Sequence, residues 1–284
     1  MANGNPCTKT YSTLRYVDSV TAVTSQRSYL FRGGSPVAGP APGGCPEWTF
    51  DYSGLTNAIT AVEPPSPIPP VQSPFYLIDV SLLSWSGPSW SYGNDPNEVN
   101  TELQYFVNNP MDGEMHWWPT FGVPGPSAPA APAPPACVHQ TPPGELAGFL
   151  ATLDQWFPEP LDWRVAQLRT WLQSPPANAN GRPLVIYVHC DGGCDRTGEM
   201  IGAYMLRYMG MNWAAMYANN HPCVLSDGTP WYPGCGNYQA LQWYAFWLNT
   251  QSFGLDPITG IGNDCGCKGP DGIVQMCPEP AVLD

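Results

Sequence analysis

Lysine is almost missing from this chain of 284 residues: only Lys9 and Lys268 occur. Charged residues of every kind make up 12 %, about half the share usual in soluble proteins. Acidic residues prevail among them, and the formal net charge is −13. A field of that sign repels nucleic acid and anionic lipid at long range, so neither is expected as a partner. An anion site has to be made locally, from backbone amides and one or two arginines. No apolar run approaches the ~18 residues of a membrane span, so no transmembrane segment is expected. The opening Met1-Ala2-Asn3-Gly4 shows no signal-peptide h-region. There is no Asn-x-Ser/Thr acceptor either, which neither supports nor excludes secretion.

Proline (35), glycine (29), tryptophan (12) and cysteine (10) are plentiful, and 43 % of residues are hydrophobic. That composition excludes a disordered acidic tail and fits a loop-rich chain with a full core. Of the cysteines, Cys190 and Cys194 stand together in one loop. Cys7, Cys45, Cys137, Cys223, Cys235, Cys265, Cys267 and Cys277 remain, an even set whose connectivity the sequence cannot give. Such usage points to a secreted or luminal, extracellular protein with most of these paired. Cys265-Gly266-Cys267 with Cys277 lacks the paired spacing of a zinc site, and no metal or other cofactor is expected.

The periodicity predicts an α/β fold: a central, mainly parallel sheet flanked by helices, with Pro-rich insertions near 38–74 and 119–143. The fold would occupy residues 1–250, and 251–284 would form a Cys-rich extension. Ser28–Arg32 and Phe75–Trp85 read as strands, and Thr101–Val107 as a short helix. The Pro/Ala-rich run 123–143 reads as an extended arm. Leu146, Phe149, Leu150 and Leu153 predict a helix over 144–156, and Asp162 caps a second carrying Val165, Leu168 and Leu172. Leu184–Val188 is continuously apolar, as in a strand buried on both faces. A helix from Arg196 to Met209 follows, stopped by Gly210, with others over 212–219 and 237–249.

The chemistry sits where that buried strand meets that helix, in His189-Cys190-Asp191-Gly192-Gly193-Cys194-Asp195-Arg196-Thr197-Gly198. A thiol at the carboxyl end of a strand, facing a helix N-terminus, lies in a positive field that favours the nucleophilic thiolate. Asp191, Gly192, Gly193 and Cys194 can turn backbone amides inward as a phosphate cradle, with glycine supplying the special angles. Arg196 offers a planar fork for two phosphate oxygens. Thr197 places a hydroxyl close by, and Gly198 continues the helix start.

This pattern resembles the Cys-x5-Arg protein tyrosine phosphatase superfamily, especially its dual-specificity-like branch, through Cys190, Gly193, Arg196, Thr197 and Gly198. Gly193-Cys194-Asp195-Arg196 is similar to the loops of relatives acting on phosphoinositides, without their lysine at position 194. Leu30-Phe31-Arg32-Gly33-Gly34-Ser35-Pro36 resembles an entry motif of the same branch. The resemblance implies Cys190 as nucleophile, Arg196 as phosphate clamp, and His189 as a residue that tunes the cysteine without transferring protons. His189 itself reads as a core histidine satisfied by backbone.

The family's reaction also needs a general acid. Trp118-Pro119-Thr120 resembles its Trp-Pro-Asp loop, with a threonine that cannot serve. Asp112, Glu114, Asp154, Glu159 and Asp162 are alternatives, and Asp195 is preferred. Cys194 reads as a resolving cysteine able to bond Cys190, or else as simply a small loop residue or one that pairs elsewhere. The leading reading is a phosphate monoester hydrolase for a phosphorylated protein or small molecule. The alternatives are a catalytically silent relative serving as a secreted assembly or binding subunit, with self-assembly, and an aromatic-rich carbohydrate- or surface-binding module.

Overall fold

The computed structural model describes residues 7, 9, 11–40, 45–84, 95–120, 160–220, 223–224, 228, 230–231, 235–250, 266–268 and 274–276. The predicted arm over 123–143, the helix over 144–156, and Asp154 and Glu159 lie outside them. The fold is mixed α/β, and its contacts divide into two units interleaved along the chain. One takes Met1–Pro119, Leu168–Gly193 and Leu225–Asp227; the other takes Thr120–Gln167, Cys194–Val224 and Gly228–Asp284.

The first unit is built on five strands: β1 (Arg15–Thr21), β2 (Arg27–Gly34), β5 (Tyr76–Ser81), β6 (Gly113–Trp117) and β7 (Leu184–Cys190), in the order β1-β2-β7-β5-β6. β1 runs antiparallel to β2, and every other pairing is parallel. β7 is central, and all seven of its residues are buried, the reason for its unbroken apolar sequence. A short pair, β3 (Val37–Ala38) and β4 (Thr49–Phe50), leads into helix α1 (Tyr52–Ala61). The Asp51 carboxylate accepts from Gly54 N and caps this helix, while Leu55 and Ile59 turn inward. With Phe106 from α2 (Asp95–Asn108), they cover the sheet face formed by Phe31, Leu77, Val185 and Tyr187.

Sequence reasoning placed an insertion where α1 lies, because prolines on its C-terminal side masked a ten-residue helix. The helix predicted over 101–107 begins earlier, at Asp95. β6 went unread because it is a short edge strand of intermediate burial without alternation. In the same unit Trp118 stacks on Trp171, their ring centroids 5.4 Å apart, and Cys7 is bonded to Cys45.

Helix α3 (Leu161–Gln173) runs from one unit into the other, with Val165, Leu168 and Leu172 buried as their spacing predicts. The second unit continues with α4 (Asp195–Tyr208), α5 (Trp213–Asn220) and α6 (Cys235–Thr250). Asn220 donates to the Gly198 carbonyl at 2.7 Å, and Asn237 donates to the Glu199 carboxylate at 2.7 Å. Gly210 follows α4 at φ +64°, the left-handed geometry of a helix stop. Strands β8 (Cys223–Val224) and β9 (Pro230–Trp231), and β10 (Gly266–Lys268) and β11 (Val274–Met276), form two small antiparallel pairs. Among the described residues, no helix is long and apolar enough to cross a membrane.

Candidate active site

β7 ends in two side chains that alternation sends to opposite faces of the sheet. Cys190 shares its face with Val188 and, across the parallel ladder, with Arg32 of β2. It is buried, and its thiol is the free one among the described cysteines. The chain then turns through Asp191, Gly192 and Gly193.

This turn is fixed from beneath by the end of β2. Ser35 N donates to the Asp191 carbonyl at 2.9 Å, and Arg32 Nη2 donates to the Gly193 carbonyl at 2.8 Å. Two carbonyls of the turn are thus drawn toward β2. Gly193 has φ +76°, and a Cβ there would collide with the backbone of Gly33 and Gly34. A Cβ on Gly34 would press on the Asp191 carbonyl, and one on Gly33 would strike the Tyr187 hydroxyl, which donates to the Gly34 carbonyl at 2.6 Å. The glycine pair of the upstream motif therefore serves as the seat of the turn. Arg32 is 1 % exposed. Burial, reinforced by Arg15, lowers its pKa to about 9, with Cys190 and Tyr187 acting the other way.

On the other face, His189 meets two carboxylates. Its Nε2 lies 3.1 Å from Asp79 Oδ1 and 3.6 Å from Glu102 Oε1, and all three side chains are wholly buried. Burial alone would lower the His189 pKa, but Glu102 and Asp79 outweigh it and raise it to about 9. Burial pushes Glu102 up to about 8, against the pull of His189. The carboxyls thus hold the imidazole toward its charged form, and burial holds Glu102 toward its protonated one. The three groups are close enough to surround a cation, and the His189–Asp79 spacing is also that of an ion pair. The expected backbone partner for His189 is thus corrected: its ring answers to carboxylates. Sequence reasoning missed both. The signals were Asp79 alone within an apolar strand and Glu102 on the helix face shared by Val99 and Phe106.

The second unit resumes at Cys194, which is bonded to Cys223. This corrects the reading of Cys194 as a resolving partner for Cys190. Asp195 opens α4; Arg196, Thr197 and Gly198 follow in its first turn, all buried. Gly198 N donates to the Cys194 carbonyl at 2.9 Å, closing the first helical bond.

The candidate acids fall in different places. Glu114 aligns through Ile78 with Ile186, four residues short of Cys190 and so about 13 Å down the strand. It binds His116, Asn178 and Tyr76, and the His116 contact foremost lowers its pKa to about 2. Asp112 lies farther still toward that end and accepts from the Tyr105 hydroxyl. Neither stands at the cysteine's end of the sheet. Asp162 is paired with Arg207 in the second unit. Thr120 is 1 % exposed, and its hydroxyl accepts from Arg164 at 3.1 Å, so the Trp-Pro-Thr segment ends in a buried structural contact. No family model matches the chain, and no curated protein matches it.

Proposed function

We propose that the chain is a phosphate monoester hydrolase of the protein tyrosine phosphatase type, working through a cysteinyl-phosphate. The observation that carries this reading is the buried free thiol of Cys190 at the end of a central strand, beside a turn held by Arg32, Ser35 and the Gly33-Gly34 pair. Substrates of the matching chemistry are phosphotyrosine, phosphoinositide or inositol phosphate.

In the proposed cycle the Cys190 sulfur attacks phosphorus in line. A P–S bond forms, the P–O bond to the leaving group breaks, and Asp195 gives that oxygen its proton. Water then attacks phosphorus and gives a proton to Asp195, the P–S bond breaks, and inorganic phosphate and the thiolate are released. Amides of 191–194 and the Arg196 guanidinium hold the phosphoryl oxygens, by the roles of the motif. The two disulfides among the described residues suit a secreted or luminal protein.

A second reading, a silent phosphatase-like subunit of an extracellular assembly, draws its support from Thr120, which stands where the family carries its acid. Hydrolysis of an aryl phosphate separates the two. The proposal expects turnover by purified protein without added reductant, because Cys194 is already engaged, and none after Cys190→Ser. Well-folded protein inactive with and without reductant would leave the silent reading.

A further inference from the structure

The cluster behind Cys190 holds more acid than a structural histidine needs. One ion pair would satisfy one imidazole, yet β5 and α2 each send a carboxyl to the same ring nitrogen, and nothing in the cluster reaches solvent. Two carboxyls and one imidazole in a dry interior are stable only near neutrality, and a charge there is weakly screened. His189 adjoins Cys190 in β7 on the opposite face, and the two groups couple electrostatically across the strand.

We infer that Asp79 and Glu102 are positioning residues that act through His189: they hold its ring as an imidazolium and so set the charge presented to the Cys190 sulfur. Every group facing the ring fits this arrangement. Asp79 comes from β5, Glu102 from α2, and Tyr187 stacks on the ring from β7 with centroids 5.5 Å apart. Cys190 couples to His189 from the same strand, and Glu98 acts on Glu102 from within α2. The directions already described for His189 and Glu102 agree, since each favours its protonated form. Two carboxyls reach one ring nitrogen from separate elements, so the loss of either leaves the other in place. The inference rests on the hydrolase reading for the use made of the sulfur, but the charge relation stands on the cluster alone.

The test titrates Cys190 without turnover. The full-length protein is exposed to iodoacetamide from pH 4.5 to 9, and the modification rate of the Cys190 peptide is followed by mass spectrometry. Asp79→Asn with Glu102→Gln leaves the imidazole without a counter-charge, so it gives up its proton. The midpoint of Cys190 modification should then rise by at least one unit, about a tenfold loss of reactive thiol at pH below it. Each single variant should shift it less. His189→Asn should raise it similarly, and Glu102→Gln should add nothing in that background.

A merely structural cluster would lower the melting temperature and leave the midpoint in place. A folded double variant that titrates like the parent therefore overturns the inference. If the double variant does not fold, an unmoved midpoint in His189→Asn overturns it equally. Absent aryl phosphate hydrolysis with a shifted midpoint would count against the hydrolase reading and leave this inference intact.

Discussion

The bond between Cys194 and Cys223 gives the sharpest quantitative test, because it ties the motif that follows β7 to a point 29 residues on. Cross-linking over that separation removes chain entropy from the unfolded state worth about 3.6 kcal/mol at 25 °C. Cys223→Ser should therefore lower unfolding stability by about that amount, read from the denaturant midpoint and slope. It should also alter the chemistry. Cys194, released four residues from Cys190, becomes a competitor for it, so the variant's aryl phosphate hydrolysis should become reductant-dependent where the parent's is not. The double variant Cys194→Ser/Cys223→Ser should share the stability loss and be free of the reductant effect. The reasoning is refuted if Cys223→Ser unfolds at the parent's midpoint, or if the parent itself needs reductant for full activity.

Other consequences follow from the seat of the turn and from the buried charges. Arg32→Met removes a charged donor from the Gly193 carbonyl, at a cost of about 1.5–3 kcal/mol, and should lower kcat/KM for aryl phosphate while the fold persists by circular dichroism. Gly193→Ala forces a side chain into left-handed backbone, about 1–2 kcal/mol on that account alone, and collides with Gly33 and Gly34; a melting temperature equal to the parent's would contradict the described packing. The buried cluster also predicts how stability varies with pH. Glu102, raised from 4.5 to about 8, contributes fully below pH 4.5 and loses its contribution as pH rises toward 8. His189, raised from 6.5 to about 9, contributes fully below 6.5 and loses it toward 9. Glu114, lowered to about 2, acts oppositely, its contribution present above 4.5 and lost as pH falls toward 2. Melting temperature should thus peak near pH 4.5–5 and decline through pH 9, and Glu102→Gln should flatten the decline below pH 8.

The parts of this molecule legible in its sequence are those where one local signal decides. Leu184–Val188 could only be an interior strand, and Gly210 stops a helix by conformation alone. The cysteine, the glycines and the arginine of the loop announce themselves by identity and spacing. What escaped depends on pairing between distant segments. β6 is a strand because β5 offers it an edge, not because its residues alternate. α1 forms beside prolines because Asp51 caps it and the sheet receives Leu55 and Ile59. Arg32 was visible as part of a motif, but its bond to the Gly193 carbonyl joins positions 161 residues apart. Asp79 and Glu102 could each be marked as acid out of place, yet it takes both the register of β5 beside β7 and the packing of α2 to bring them to one histidine.

That register also guards the site against its own misassembly. Adjacent residues of β7 face opposite ways, so pairing it one position out of step would exchange His189 and Cys190. The thiol would enter a closed chamber of carboxyls, and the imidazole would emerge under the glycine turn. Such a chain would lose its reactive sulfur and strand two acids without a cation, a fault far costlier than a slipped apolar strand. The ionic cluster thus adds a cost to that slip beyond the cost of misplacing apolar side chains.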